Sequence, residues 1–302
     1  MTGGARIRLL PDGKRLHLNH GPIDLIVEAF GNGAEVEAAY RQAAARFPDI
    51  LPGLVVELGR LRRPIAAPRW QPEGPVARRM MAACWPHRAV FVTPMAAVAG
   101  AVADEMLAAL VAGREIARAY VNNGGDIALH LAPGESLTAG LVTDYHLPAI
   151  DATCRLDAAL PVRGIATSGW KGRSFSLGIA DSVTVLGACA ASADVAATLI
   201  ANAVNVEHAA IERRPANELD PDSDLGQRLV TVAVGPLAAA TAAAALDAGA
   251  AAALAAERAG HISAAVLVLQ RQYRVVGTIP PGPSPRQSGF GRAGGLVAAD
   301  AS

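Results

Sequence analysis

Apolar and polar positions alternate at the start of the chain. "RIRLL" and "RLHLN" read as two strands, and "PDGK" between them is a turn, since Pro presets one dihedral and Gly accepts positive φ. "PIDLIVEAFG" (22–31) continues as a strand. From 33 to 47 the period becomes helical, with Val36, Tyr40, Ala43 and Ala44 on one stripe. Residues 51–75 hold five prolines and a cluster of arginines and read as a long connection. "VARRMMAAC" is a short helix. A second helix is expected over 94–112, with Thr93 as N-cap, Pro94 at the first position and Gly113 as the stop. It is apolar nearly all round until Asp104 and Glu105, so it should be buried.

Further on, "IARAYVNN" and "IALHLA" are strands flanking Gly124, Gly125 and Asp126. "SLTAGLVT" and "LPAIDATCRL" are further strand candidates. Residues 164–204 read as strand, polar Gly/Ser loop, the strand "SVTVLGA", and a helix from about Ser192. A polar stretch, 211–228, precedes the strand "RLVTVAVGPL", an Ala-rich helix over 238–258 and the hairpin "AAVLVLQRQYRVVGTI". Strands and helices mix without regular βαβ alternation, which predicts an α+β fold. The division expected is one α+β domain over 1–279 and a disordered Pro/Gly/Ala-rich tail over 280–302.

Composition narrows the function. The 302 residues carry 27 basic and 27 acidic side chains, and only 4% are aromatic. Neither a general nucleic-acid binder nor a stacking platform is expected from that balance. Cys84, Cys154 and Cys189 lie far apart, with no metal spacing and no disulfide framework. The N-terminus carries charges where a signal peptide needs an apolar core, and Asp247 interrupts the Ala-rich run. A soluble, cytoplasmic protein with no membrane partner is expected. His130, His146, His208 and His261 show no zinc-binding spacing.

Three polar groupings could carry chemistry. In "NNGGD", the glycines let backbone approach a ligand, and Asp126 could accept hydrogen bonds from a base or ribose; a tight hairpin would use the same residues. Asp194 and Thr198 lie four apart on a helix face, an oxygen pair suited to Mg²⁺. Asp194 near a helix start would also simply favour the dipole. The loop "TSGWKGRS" (167–174) offers hydroxyls, cations and backbone N–H groups to a phosphate, or is a solvated hairpin loop.

In this order, the segments resemble the ApbE family, whose best-known members are FAD:protein FMN transferases. The family carries "DLGxIAKG(Y)xxD", "GGD", "TSG" and "ADxxxT"; here the stretches are "TPMAAVAGAVAD" (93–104), "NNGGDI" (122–127), "TSG" (167–169) and "ADVAAT" (193–198). The resemblance covers roughly residues 90–205. It implies a T-fold-related α+β protein with mixed and antiparallel sheets packed on helices. It also implies an FAD site drawing on Asn123, Gly124, Gly125, Asp126, Thr167, Ser168, Gly169, Lys171 and Arg173. Mg²⁺ near the pyrophosphate would take Asp194, Thr198 and a backbone carbonyl in the region of Ala96. The implied chemistry is phosphoryl transfer.

The sequence departs from the family in three places. Ala99 stands where the family has Lys, Thr93 replaces the initial Asp, and "SFSLGIADSV" replaces the family's "HHIxDPxTG". Lys171 and Arg173 could supply the lost cation. Expectations therefore divide between a divergent Mg²⁺-dependent enzyme, a flavin- or pterin-binding protein without transferase activity, and a structural protein on the same scaffold. On the last reading, the Ala-rich helices would form a homo-oligomer interface.

Overall fold

A computed structural model of the chain describes residues 4–141, 152–282 and 298–299. Three strands come first, β1 (Arg6–Leu9), β2 (Leu16–His20) and β3 (Ile23–Gly31). Four helices follow, α1 (Gly33–Arg46), α2 (Ile50–Leu61), α3 (Pro75–Cys84) and α4 (Val98–Val111). Next are β4 (Ile116–Asn123), β5 (Asp126–Leu131), β6 (Ser136–Leu141), β7 (Ala152–Asp157), β8 (Gly164–Ser168) and β9 (Ser182–Gly187). Then come α5 (Ala190–Ala203), β10 (Ile211–Pro215), α6 (Ala216–Leu219) and β11 (Leu229–Val234). The chain continues through α7 (Ala239–Arg258), β12 (Ala264–Leu269), β13 (Gln272–Gly277) and β14 (Ala298–Ala299). The expected α+β class is what the elements form: antiparallel strand pairs packed with helices.

The chain divides into two compact units. The first comprises Met1–Ser136, Asp157–Ile165 and Ala188–Val195. Here β1 to β5 pair antiparallel in sequence order, and the start of β8 extends the sheet through Ile127–Ile165 and Ala128–Gly164 pairing. Alternation in β3 buries Ile23, Leu25, Val27 and Ala29, the period-two pattern of a sheet with one covered face. Helix α4 packs on β4 and β5, while α1 and α3 pack against α4. Leu25, Phe47, Met80, Met106, Leu110 and Ile127 are among the fully buried side chains between them.

The second unit comprises Leu137–Leu156, Ala166–Gly187 and Ala196–Ser302. In it β9, β12 and β13 form an antiparallel set, with α7 packed on β12 and β13. Gly249 lets α7 approach: a Cβ there would lie 2.2 Å from Val204 Cγ2. The turn between β12 and β13 places Gln270 and Arg271 at φ 47° and 67°, unusual for residues with a Cβ. Gln270 is held there by Asp181, which accepts its N–H at 2.6 Å, and by side-chain hydrogen bonds to the Gly235 carbonyl and the Leu237 N–H.

Four local readings are corrected. Residues 51–75 are not all connection, because α2 runs to Leu61; Pro52 falls in its first turn, where a missing N–H costs no hydrogen bond. The helix expected over 94–112 is a 3₁₀ turn, Pro94–Ala97, followed by α4, with the break at Ala97 (φ −127°, ψ 14°). The 211–228 stretch holds β10 and α6, since β10 needs only β11 and a half-exposed face, which leaves no apolar run to read. Helix α5 begins at Ala190, two residues before Ser192.

Of the expected tail, the described residues lie against other strands. Pro280 accepts from the Arg155 N–H, Gly282 donates to Thr153, and Ala298 and Ala299 pair with β6. The rest of the tail, His146 and residues 142–151 fall outside the described residues.

Two stretches, Pro94–Val111 and Ala239–Arg258, are long and apolar enough by length and composition to cross a membrane. Glu105, within the first of them, anchors a charged node in the first unit. Glu105 accepts from both Arg46 (3.1 Å) and Arg79 (3.0 Å), and its side chain is only 13% exposed. Glu105→Ala should leave two guanidiniums crowded and uncompensated. We expect a loss of about 2 kcal/mol, below that for a fully buried pair because both arginines reach solvent. Urea unfolding would measure it, and Glu105→Gln should lose less.

Candidate functional site

The expected site residues fall into two groups, one in each unit. In the first unit, β4 and β5 form a two-residue hairpin with Asn123 opposite Asp126. Gly124 (φ 65°) and Gly125 (φ 114°) occupy its centre, the positive-φ pair that a type I′ turn requires. Asn122 Oδ1 accepts the Gly125 N–H at 2.9 Å and fixes the turn. Asn123 and Asp126 are buried. The Asn123 side chain leaves the hairpin and donates to the Ala99 carbonyl at 3.1 Å.

That contact ties the GGD hairpin to the first turn of α4. The next residue, Gly100, donates its N–H to Asp194 Oδ2 at 3.0 Å. Asp194 lies in the second turn of α5, yet it caps α4. The reverse also holds: Asp104, in the second turn of α4, accepts the N–H groups of Ala190 (3.0 Å) and Ala191 (2.9 Å) at the start of α5. Each helix thus supplies the carboxylate that satisfies the other's unpaired N-terminal donors. Glycine makes the approach possible. A Cβ on Gly100 would lie 2.3 Å from the Ala190 carbonyl oxygen, and one on Gly164 would lie 2.1 Å from the Cys189 carbonyl carbon.

The corner is electrostatically tense. Asp194 keeps a little accessible surface, but its surroundings desolvate it strongly. Burial, with Asp104 adding like charge, pushes its pKa up to about 7 against the pull of the Gly100 and Ala99 N–H groups. Burial also raises Asp104, opposed by the Ala191 and Ala190 N–H groups. The thiols follow: burial raises Cys84, with Asp194 contributing, and burial raises Cys189, with Asp104 contributing. A protonated thiol is a poor nucleophile, so neither cysteine is set up for attack.

Ala96 sits in the 3₁₀ turn Pro94–Ala97, just before α4, with its N–H donated to the Thr93 carbonyl at 3.2 Å. Thr93, expected as a side-chain N-cap, is buried without a capping hydrogen bond to that turn. Thr198 lies one turn beyond Asp194 on α5. A carboxylate such as Asp194 is the kind of oxygen ligand a hard cation takes. Two of the lone-pair directions on Asp194 face Gly100 and Ala99, and a carboxylate has about four. Among the described residues, no group of three or more His, Cys, Asp or Glu side chains could hold a metal, so a cation here would depend on hydroxyl, backbone or ligand oxygens.

The second unit holds Thr198 and, in another segment, Thr167, Ser168, Gly169, Lys171 and Arg173. Thr167 Oγ1 lies 2.9 Å from Thr184 Oγ1 across the strands. Gly169 packs so tightly that a Cβ would meet the Asp181 carbonyl at 2.4 Å. Lys171 is ion-paired to Asp181 at 2.9 Å, and Trp170 Nε1 donates to the same carboxylate at 3.2 Å. Its charge is therefore largely spent within the loop. Arg173 is exposed.

Sequence reasoning did not single out Asp104 or Asp181 as organisers. Asp104 closes the "ADxxxT"-like corner from the opposite helix, and Asp181 gathers the TSG loop and the 270 turn. The one available signal was that both helices carry an Ala-Asp step early in an apolar run, "VAD" and "SAD".

A discontinuous α+β unit with a GGD hairpin and two cross-capped helices defines the class. The chain belongs to the family described as AbpE bacteria, whose model matches residues 7–275. It is also similar to archaeal proteins named UPF0280 protein. One from Methanothermobacter thermautotrophicus is 40% identical over 134 residues, covering 44% of this chain and 50% of the relative. Another from Methanothrix thermoacetophila is 37% identical, covering 43% and 52%. A third from Methanopyrus kandleri is 36% identical, covering 47% and 56%. The chain spans about half the length of these curated relatives in each match. Their shared name assigns no activity.

Proposed function

We propose that this protein binds FAD or a related nucleotide together with Mg²⁺, as a divergent ApbE-like branch. One observation carries the reading: within one unit, two hydrogen bonds join three segments distant in sequence, Asn123 to Ala99 and Gly100 to Asp194. These are the segments in which the ApbE resemblance places flavin and metal. In this reading Asp194, with a carbonyl near Ala96, holds Mg²⁺, which would neutralise charge on the phosphates. Gly124, Gly125 and the Asp126 carboxylate face the nucleotide, and Asp126 accepts from its polar edge.

A second reading, binding of flavin or a pterin without FMN transfer, is favoured by the cations. Ala99 stands where the family has Lys, and Lys171, one of the two cations that could replace it, is paired with Asp181.

FAD titration by flavin fluorescence and calorimetry at about pH 8, with and without Mg²⁺, tests both. Binding should be Mg²⁺-dependent and lost by at least about tenfold in Asp194→Ala. It should also weaken towards pH 6, where the protonated carboxyl no longer attracts a cation. AMP and FMN release with an added acceptor would support transfer, and tight binding without release would support the second reading. Failure of FAD and pterins alike to bind would defeat both.

A further inference from the structure

The chain's net charge is zero, but its arginines are not evenly spread. Between residues 60 and 88 lie Arg60, Arg62, Arg63, Arg69, Arg78, Arg79 and Arg88 against the single acidic residue Glu73. All belong to the first unit. The end of α2, the segment that follows it and the turn after α3 bring Arg60, Arg69 and Arg88 to Trp70 and Trp85, with the Ile65 N–H bonded to the Val92 carbonyl at 2.9 Å. Arg60, Arg63, Arg69 and Arg88 are exposed and form no ion pair among the described residues.

Two half-buried indoles organise these cations. The Arg60 guanidinium lies 5.4 Å from the Trp70 ring centroid. Arg69 and Arg88 lie 5.4 and 4.9 Å from that of Trp85. A guanidinium resting on an aromatic ring loses less side-chain freedom on binding an anion and keeps its N–H edge for bidentate contact. Val90, 57% exposed, adds apolar surface beside them.

We propose that this Arg/Trp surface docks an acidic segment of a partner protein. Three features favour an acidic polypeptide over a nucleic acid. The guanidiniums already stack on Trp70 and Trp85, which leaves less ring surface for bases. The chain as a whole has no positive excess to attract a polyanion from a distance. Exposed Arg, half-buried Trp and an exposed aliphatic side chain are also the composition of protein-interface anchors, with charge to set register. The surface is spread over three chain segments, which suits an extended peptide better than a single small anion. This inference does not depend on the nucleotide reading.

The test uses the full chain and a fluorescein-labelled peptide of alternating Glu and Ala, about twelve residues long, read by anisotropy at about 50 mM salt. Binding is expected, with at least about a tenfold loss in the Arg69→Ala/Arg88→Ala double variant. The equally charged control Arg6→Ala/Arg8→Ala on β1 should lose less than about twofold. Arg63→Glu, changed singly, should weaken binding without touching either indole, and circular dichroism would verify that each variant is folded. Absence of peptide binding, equal loss in the control, or tighter binding of a thymidine oligonucleotide of similar length through the same arginines would each overturn the proposal.

Discussion

Gly100→Ala should be among the most damaging single-methyl additions in the molecule. In an ordinary helix the change would help, since Ala is favoured over Gly by about 1 kcal/mol. Here the new Cβ would stand 2.3 Å from the Ala190 carbonyl oxygen and 2.7 Å from the Ala191 N, both backbone atoms that cannot rotate away. Helix α4 would have to retreat from the start of α5. That would strain the Gly100–Asp194 and Asp104–Ala190/Ala191 hydrogen bonds together. Overpacking combined with loss of caps predicts a cost of about 3 kcal/mol or more. Gly59→Ala in α2 is the internal control. A Cβ there meets nothing within 4 Å, so that variant should gain up to about 1 kcal/mol. Urea unfolding of the pair would show opposite signs. Equal effects would mean that the two helices are not held as closely as described.

The second large effect is a stability that rises on acidification. Asp194 is raised from an ordinary carboxylate value to about 7, so between roughly pH 4 and 7 the folded chain holds a proton that the unfolded chain has released. Its contribution is fully present below the unfolded pKa and is lost as pH rises through the folded one. Folding should therefore be stronger at pH 5 than at pH 8, by up to about 3 kcal/mol from this residue. Asp104 pushes in the same direction by like charge and by its own burial. Asp194→Asn keeps an oxygen for the Gly100 N–H and removes the ionisation. Its stability should vary less between pH 5 and 8 than the parent's, and it should match or exceed the parent at pH 8. Denaturant midpoints across that range would decide it; identical slopes for both proteins would show that Asp194 titrates normally. Mg²⁺ should narrow the parent's loss at pH 8 if it binds this carboxylate, and should leave the Asn variant unchanged.

Local chemistry was legible, and contact across the chain was not. The hairpin at 122–127 could be read because Asn-Gly-Gly-Asp is turn chemistry within two residues. Alternation gave β2 and β3, helical spacing gave α1, and Ala richness gave α7. Proline density concealed α2, because a proline in a first turn and one in a loop look alike in sequence. Asp194 was legible as a helix-start carboxylate but not as the cap of a different helix. Its partner, Gly100, is 94 positions away, and Asp104 reaches residues 86 and 87 positions away. No periodicity reports a pairing of that span. Lys171 looked available as a phosphate-binding cation only while Asp181, ten residues on, had no place beside it.

The segmented make-up of the first unit has a consequence for the order of folding. Residues up to Ser136 supply five strands and four helices, but the amide groups that open α4 find their acceptor only in Ala188–Val195. A nascent chain that has reached residue 150 must keep that helix start hydrated or frayed. Loop closure over some ninety residues then falls late, and the closing step should show low φ-values at Gly100 and Asp194. Synthesis stalled before residue 188 would leave an incomplete unit in which the start of α4 has no cap and the face it turns to α5 is uncovered, the kind of intermediate that chaperones hold.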